Sequence, residues 1–219
     1  MENLNNYIEH TLLKQDATQE ELKKLFDEAI ENKFLGICVN PCQVKFAKEY
    51  LESNDGSDVK IVTVVGFPLG ANKYEVKAYE TKLAVADGAD EIDMVINVGL
   101  LKDKNYPAVQ RDIEAVRVFC PEKILKVILE TDLLTKEEIK MACKLCIAAK
   151  ANFVKTSTGF VKNGVGAKVE DVELMHKTVS SFGLQVKASA GIRDKQKALD
   201  LIKAGATRLG TSAGVEIIR

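Results

Sequence analysis

The run Lys60-Ile61-Val62-Thr63-Val64-Val65-Gly66 is almost wholly apolar and rich in β-branched residues. Such a run is typical of a strand that is covered on both faces. A helical pattern over 72–87 follows it, and a second strand-like run covers 91–97. Because a crossover helix returns the chain to the same end of the sheet, the two strands are predicted to be parallel. This part of the chain therefore predicts a strand–helix–strand unit of an α/β protein.

The same alternation continues outward to both ends of the chain. Further strands are predicted at 7–10, 35–39, 124–130, 152–156, 184–189 and 207–210, and further helices at 18–33, 42–53, 105–119, 135–149, 168–182 and 194–204. Two helices begin with capping boxes, Thr18 with Glu21 and Thr135 with Glu138. Eight alternating strands favour a closed (β/α)8 TIM barrel over the alternative, an open doubly wound sheet. Since no linker-like stretch interrupts the pattern, we expect residues 1–219 to form a single domain.

Length and composition are those of an ordinary globular protein, with 219 residues, 46% hydrophobic and 29% charged. The formal net charge of −1 provides no polybasic field that would attract nucleic acid or an anionic membrane surface. No apolar run approaches the roughly 18–20 residues that a transmembrane helix needs. Residues 1–6 lack the basic patch and apolar core of a signal peptide. We therefore expect a cytoplasmic protein with no nucleic-acid or membrane partner.

The five cysteines are unevenly spaced, which does not suggest a disulfide scaffold. Cys143 and Cys146 form a CxxC motif that could supply half of a zinc site. The sequence contains no second CxxC and has two histidines, so a complete ligand set is hard to assemble. The favoured alternative is that both cysteines belong to the buried stripe of the helix at 135–149. We predict no bound metal.

Polar side chains interrupt the apolar strands near their carboxyl ends, where a barrel of this kind carries its chemistry. They are Glu9, Cys38, Asp93, Lys155 and Lys187. Strand alternation puts Asp93 on the same face as Glu91, and a face with two carboxylates is expected to point into the barrel. A carboxylate buried there needs a cation as its partner. Asp93 is thus predicted to be either half of a structural ion pair or a group that moves protons.

Lys155 and Lys187 lie on successive predicted strands, so their ammonium groups are expected to be neighbours. Burial and a nearby like charge both lower the pKa of a lysine. A lysine that is neutral near pH 7 attacks aldehydes and ketones. The alternative, two lysines at exposed strand edges, fits poorly with the apolar runs around them. The pair therefore predicts an enzyme that forms an imine with its substrate.

Small and hydroxyl-bearing residues follow the three last strands. They form the segments Thr156-Ser157-Thr158-Gly159, Ser189-Ala190-Gly191-Ile192-Arg193 and Gly210-Thr211-Ser212-Ala213-Gly214. Loops after strands seven and eight form the usual phosphate site of this barrel, and small residues let backbone N–H groups approach the phosphate. A small phosphorylated ligand is therefore predicted. The expected contacts are Thr158, Gly159, Ala190, Gly191, Arg193, Gly210 and Ser212, with Cys38 as a further candidate.

The chain resembles the deoxyribose-phosphate aldolase family in segments that run in order through nearly its whole length. They cover 8–14, 37–41, 62–70, 91–97, 126–131, 153–160 and 186–193. The most specific part is Lys155-Thr156-Ser157-Thr158-Gly159 combined with a lysine on the next strand. The resemblance implies a (β/α)8 barrel that reversibly cleaves 2-deoxy-D-ribose 5-phosphate into acetaldehyde and D-glyceraldehyde 3-phosphate, without a metal or an organic cofactor.

The resemblance also implies roles for individual residues and a homodimer or homotetramer. Lys155 would form the imine, Lys187 would lower its pKa, and Asp93 would act as acid and base. Ala190 stands where many members have glycine, and Glu9 where many have aspartate. Two other functions stay open, a lysine-dependent aldolase with a different donor and a barrel that binds sugar phosphates without catalysis.

Overall fold

The chain folds as a closed barrel in the computed structural model, which describes residues 3–219. Met1 and Glu2, the first residues of the stretch expected to lack a signal peptide, lie outside this range. Within it the parallel strands are β1 Ile8–Leu12, β2 Gly36–Val39, β3 Lys60–Val65, β4 Glu91–Val95, β5 Ile124–Ile128, β6 Phe153–Lys155, β7 Gln185–Ser189 and β8 Ala206–Thr211. Each strand pairs with the next, and β8 pairs with β1. The predicted TIM barrel is confirmed, and the open-sheet alternative is wrong.

The strands end where the backbone leaves the extended conformation. β3 and β5 are shorter than predicted because Gly66 and Glu130 have positive φ values of 64° and 62°. The loops that follow β6, β7 and β8 carry most of the predicted ligand contacts.

Helices cover the outside of the barrel, and all the predicted ones are present. In residues 3–219 they are α1 Gln19–Glu31, α2 Val44–Ser53, α3 Tyr74–Ala86, α4 Val98–Lys102, α5 Tyr106–Phe119, α6 Lys136–Ala148, α7 Val169–Val179, α8 Lys195–Lys203 and α9 Gly214–Ile218. The sequence pattern missed α4 and α9, because five residues are too few to display a helical period. Short 3-10 turns occur at Leu4–Tyr7, Pro41–Gln43, Thr131–Leu133 and Ser180–Phe182.

The local signals that predicted these helices correspond to real contacts. The Thr18 and Thr135 hydroxyls accept hydrogen bonds from the backbone N–H groups of Glu21 and Glu138, and both capping boxes are closed by the return bond. The cysteines of the CxxC motif are completely buried on α6, as the core interpretation predicted. Across residues 3–219, no group of three His, Cys, Asp or Glu side chains could hold a metal ion, and no helix is both long and apolar enough to cross a membrane.

Two layers of side chains fill the molecule. The large apolar core lies between the strands and the helices and includes the outward-facing Ile92 and Met94 of β4. Inside the barrel, a small apolar cluster of Cys38, Val62 and Val64 occupies the side of β2 and β3. Stability comes from the outer layer, because apolar burial is the main favourable contribution to folding. The rest of the interior is free to hold polar groups.

A buried ion pair joins α3 to α5. Lys77 Nζ donates to Asp112 Oδ2 at 2.6 Å and to the main-chain oxygen of Val95 at 2.9 Å. Burial lowers the pKa of Lys77 and raises the pKa of Asp112, in each case against the attraction of the partner. The sequence pattern missed the pair, because nothing near Lys77 distinguishes it from the lysines that face solvent.

Replacing Lys77 with methionine should lower the free energy of unfolding by about 3 kcal/mol, because Asp112 stays buried without its cation. Lys77→Met/Asp112→Asn should recover most of the loss. Urea unfolding at pH 7 measures both effects. Lys24→Met, at an exposed position of α1, is the matched control and should change stability by less than about 0.5 kcal/mol. A Lys77→Met variant as stable as the parent would refute the structural role.

Candidate active site

Three lysines meet at one carboxylate inside the barrel. Lys155 Nζ and Lys187 Nζ each lie 2.7 Å from Asp93 Oδ2, and Lys126 Nζ lies 2.9 Å from Oδ1 of the same residue. The register of β6 and β7 places Lys155 directly beside Lys187. The expectations that the two lysines are neighbours and that Asp93 faces the barrel interior agree with this geometry. The four side chains come from four successive strands, so barrel closure fixes their arrangement.

Further charges continue this cluster toward the amino ends of the strands. Lys126 Nζ lies 2.5 Å from Glu91 Oε2 and 3.4 Å from Glu9 Oε1, and Lys187 Nζ also contacts Glu9. Arg208 approaches Glu91 to 3.5 Å and Glu9 to 3.9 Å. The buried Glu9 carboxylate therefore has two lysines as partners.

Lys126 and Arg208 were not recognised from the sequence. Lys126 interrupts the apolar strand β5 in the way that Lys155 interrupts β6, so the same rule would have found it. Arg208 is paired with Lys187 in the register of β7 and β8. It is the second residue of the strand predicted at 207–210, so a search for charges near the carboxyl ends of predicted strands passed over it.

The charges divide the lysines into two kinds. Burial lowers the pKa of Lys155, the Asp93 carboxylate opposes this, and the Lys187 charge adds to it. Burial also acts against the charged form of Lys187, but Asp93 and Glu9 outweigh it and raise its pKa. Burial alone would raise the pKa of Asp93, but Lys126, Lys155 and Lys187 hold it well below its usual range. Lys187 is thus the charged neighbour and Lys155 the lysine closer to neutrality, with burial rather than Lys187 as the larger cause.

A cavity of about 460 Å³ opens above this cluster. Lys155 lies at its base, and the loops after β1, β6, β7 and β8 form its walls. Its lining includes Thr158, Gly159, Ala190, Gly191, Arg193, Gly210 and Ser212. The structure therefore brings all of these predicted contacts together with Lys155 around one space. Arg193 stands exposed at the rim, where it can meet a ligand from solvent.

Cys38 is the exception among the predicted contacts. It is completely buried beside Val62 and Val64 and does not line this cavity. Burial raises the pKa of its thiol, so the sulfur remains protonated. Its position does not support the expected contact with the substrate, because the interior packing covers it.

His10 also lies away from the cavity. Its Nε2 is 2.8 Å from Glu28 of α1, and its ring packs on Phe34 at 5.3 Å. The residue therefore packs outside the barrel against α1 and does not line the cavity. Thr11, on the opposite face of the strand, does line the cavity.

Glu130 holds the loop after β6 in place and was missed in the sequence. Its Oε1 accepts a hydrogen bond from the backbone N–H of Thr158 at 3.0 Å, and its Oε2 accepts one from the Thr158 hydroxyl. Burial raises the pKa of Glu130, and the two bonds from Thr158 oppose that shift. Glu130 is the last residue of the strand predicted at 124–130, and its partner Thr158 is 28 residues away. Its role therefore could not be recognised from the residues around it.

The loop after β7 accommodates the unusual alanine. Ala190 has φ of 67° and Gly191 has φ of 70°, a conformation that costs a residue with a side chain about 1–2 kcal/mol. A Cβ at Gly159 would lie 3.4 Å from the Ala190 methyl, and one at Gly166 would lie 2.9 Å from it. Glycines thus surround the extra methyl, so the loop keeps its turn at this position.

Known proteins are similar in sequence to this chain over nearly its whole length. The model of the DeoC/LacD family aldolases matches residues 6–219. A deoxyribose-phosphate aldolase from Streptococcus sanguinis is 56% identical over 216 residues, covering 99% of this chain and 96% of the relative. One from Brevibacillus brevis is 55% identical over 216 residues, covering 99% and 95%.

Solved structures give the same result. The chain matches an aldolase called QR15 with a TM-score of 0.92 and 39% identity, covering 100% of this chain and 95% of the other. A deoxyribose phosphate aldolase from Aeropyrum pernix, described as a tetramer, has a TM-score of 0.90 and 31% identity, with coverage of 98% and 89%.

Asp93→Asn should lower the free energy of unfolding by about 3 kcal/mol at pH 7, because the buried lysines lose their shared anion. The folded-state pKa of Asp93 lies below its ordinary value of 3.8, so its stabilisation is present above that value and is lost as the pH falls further. The difference from the parent should therefore shrink below about pH 4. Urea unfolding between pH 3 and 7 tests this, with the exposed Asp16→Asn as control. A difference that stays constant with pH would contradict it.

Proposed function

The chain belongs to the DeoC/LacD aldolase family, and on this premise we propose that it cleaves 2-deoxy-D-ribose 5-phosphate reversibly into acetaldehyde and D-glyceraldehyde 3-phosphate through an imine on Lys155. Relatives named deoxyribose-phosphate aldolase that are 54–56% identical over nearly the full chain support this substrate. The observation that carries the mechanism is Lys155 itself, buried at the base of the cavity beside a lysine that stays charged.

The reaction starts with neutral Lys155 attacking the C1 aldehyde of the open-chain sugar. Loss of water from the carbinolamine gives an iminium, which withdraws electrons from C2. Removal of the C3 hydroxyl proton breaks the C2–C3 bond and releases D-glyceraldehyde 3-phosphate. The electron pair of that bond forms an enamine on Lys155, and its protonation and hydrolysis release acetaldehyde and the free lysine.

Asp93 is the proposed acid–base residue, acting through a water. With its pKa held low by three lysines, the carboxylate is ionised throughout the pH range in which Lys155 loses its proton. Its Oδ2 lies 2.7 Å from Lys155 Nζ, so it stabilises the cationic iminium directly. Because its low pKa makes Asp93 a weak base, the carboxylate stays ionised and a water molecule beside it carries the proton to and from the substrate.

The loops on the β6–β8 side of the mouth are proposed to bind the phosphate. Gly191 and Ser212 offer backbone close to the cavity, and Arg193 offers a guanidinium at its rim. Across residues 3–219, no carboxylate lies within 4.0 Å of the Arg193 side chain as an ion-pair partner, which leaves it available to an anion. Binding energy from the phosphate then positions the reacting carbons over Lys155.

The two alternative functions differ in measurable ways. An aldolase with a different donor would form the same imine but release another aldehyde or ketone. A sugar-phosphate sensor would need no lysine with a lowered pKa, so the lowered pKa of Lys155 favours catalysis.

We propose a homo-oligomer, as in the tetrameric Aeropyrum pernix relative. The cytoplasmic location and the lack of a cofactor or of a nucleic-acid or membrane partner stay predictions.

Borohydride should trap the sugar or its acetaldehyde fragment on Lys155 when substrate is present, and peptide mapping will locate the adduct. Lys155→Ala should give no adduct and no turnover in a coupled assay for D-glyceraldehyde 3-phosphate. Running that assay with several phosphorylated and unphosphorylated sugars separates the alternative donors. An adduct on a different lysine, or turnover by Lys155→Ala, would sink the mechanism.

Gly191→Ala should raise KM for the phosphorylated sugar roughly tenfold with a smaller effect on kcat, because it disturbs binding remote from the reacting carbons. The added Cβ would lie 2.3 Å from the main-chain oxygen of Val165, at a φ of +70°. Gly183→Ala is the matched control, since Gly183 has φ of +82° but open space around it. Cleavage of unphosphorylated deoxyribose should change little in both variants. Equal losses on the two sugars would argue against a phosphate site in this loop.

A further inference from the structure

The charged groups of the barrel interior include one more cation than carboxylates. In the part of the chain that the structure describes, the interior cluster has three carboxylates, Glu9, Glu91 and Asp93, and four cations, Lys126, Lys155, Lys187 and Arg208. The elements packed beside it contribute the thiol of Cys38 from β2 and the apolar Val62 and Val64 from β3. The cluster is therefore neutral when Lys155 is neutral, and it carries one positive charge when Lys155 is protonated.

The contacts assign the excess charge to Lys155. Lys126 reaches all three carboxylates, at 2.5, 2.9 and 3.4 Å. Lys187 contacts Glu9 and Asp93, and Arg208 approaches Glu9 and Glu91. Lys155 contacts Asp93, and there it shares the oxygen Oδ2 with Lys187. Each of the other cations has two or more carboxylates, so Lys155 is the one that is held least.

We propose that Lys126, Glu91 and Arg208 are positioning residues that set the charge balance of the barrel interior and so select Lys155 as the cation that gives up its proton. None of the three lines the cavity above Lys155, and they act on the substrate only through that lysine. The inference rests on the proposed function, in which Lys155 forms the imine. It adds a lower layer of charges to the Asp93 and Lys187 contacts that touch Lys155 directly.

Charge balance makes the sign of each substitution specific. Glu91→Gln leaves two carboxylates against three cations even with Lys155 neutral, so protonation of Lys155 becomes less favourable. Lys126→Met leaves three carboxylates against two cations, so protonation of Lys155 restores neutrality and becomes more favourable. In Glu91→Gln/Lys126→Met the charges balance again with Lys155 neutral. A role in packing alone predicts no such reversal, because every variant would then only lose activity.

The experiment is the pH dependence of kcat/KM for 2-deoxy-D-ribose 5-phosphate, which reports ionisations of the free enzyme. The midpoint of its rise with pH should move down by about one unit in Glu91→Gln and up by about one unit in Lys126→Met, the size that a nearby charge produces. The double variant should return to within about 0.3 units of the parent. Lys77→Met, which breaks the buried ion pair of Lys77 with Asp112 outside the barrel, is the control and should keep the parent midpoint.

The double variant keeps the test decisive if Lys126→Met does not fold, because its midpoint must lie about one unit above that of Glu91→Gln. Midpoints that stay fixed, or that move in the same direction in both single variants, would overturn the inference. Borohydride trapping on the parent separates the two levels of the proposal. Without an adduct on Lys155 the proposed function fails and takes this inference with it. With an adduct and unmoved midpoints, only the charge-balance inference fails.

Discussion

The carboxylate of Asp93 is the group on which both the interior of the barrel and the chemistry proposed for it depend. Three lysines from β5, β6 and β7 meet at its two oxygens. A buried carboxylate is costly unless cations and hydrogen bonds satisfy it, and buried ammonium groups are costly for the same reason. Each charged group therefore offsets the desolvation cost of the others. Such an arrangement requires a closed sheet, because Lys187 also reaches Glu9, which lies 178 residues earlier and two strands away across the barrel seam.

The barrel interior can hold charged groups because the apolar layer between the strands and the helices stabilises the fold. The apolar layer between strands and helices is extensive and includes Ile92 and Met94, which alternate with Glu91 and Asp93 on the same strand. One strand thus serves two purposes, with its outer face packing and its inner face carrying charge. Ion pairs replace apolar side chains inside the barrel, so less apolar surface is buried there. In return the interior offers a buried setting that lowers the pKa of Lys155.

Most of the fold followed from local signals, and most of the missed features were tertiary. Apolar runs and helical periods predicted the strands and the long helices, because each signal lies within about a dozen residues. The same reasoning found Lys155, Lys187 and Asp93, since a charge within an apolar strand is a local anomaly. It did not find Glu130, Arg208 or Lys77, whose importance depends on partners far away in sequence. Cys38 was expected to touch the ligand, but the packing that buries it beside Val62 cannot be read from its own strand.

The geometry of the barrel also connects the lysine proposed to form the imine with the loops proposed to bind the phosphate. Lys155 ends β6, and the loop that follows carries Thr158 and Gly159. The loops after β7 and β8 form the other walls of the same cavity, and the register of these strands is fixed by pairing Lys155 with Lys187 and Ser189 with Gly210. The distance from the nucleophile to the proposed anion loops is therefore set by strand pairing and not by a flexible segment. Under the proposed function such a rigid spacing would select sugars by length, because a phosphate held at the rim would determine which carbon reaches Lys155.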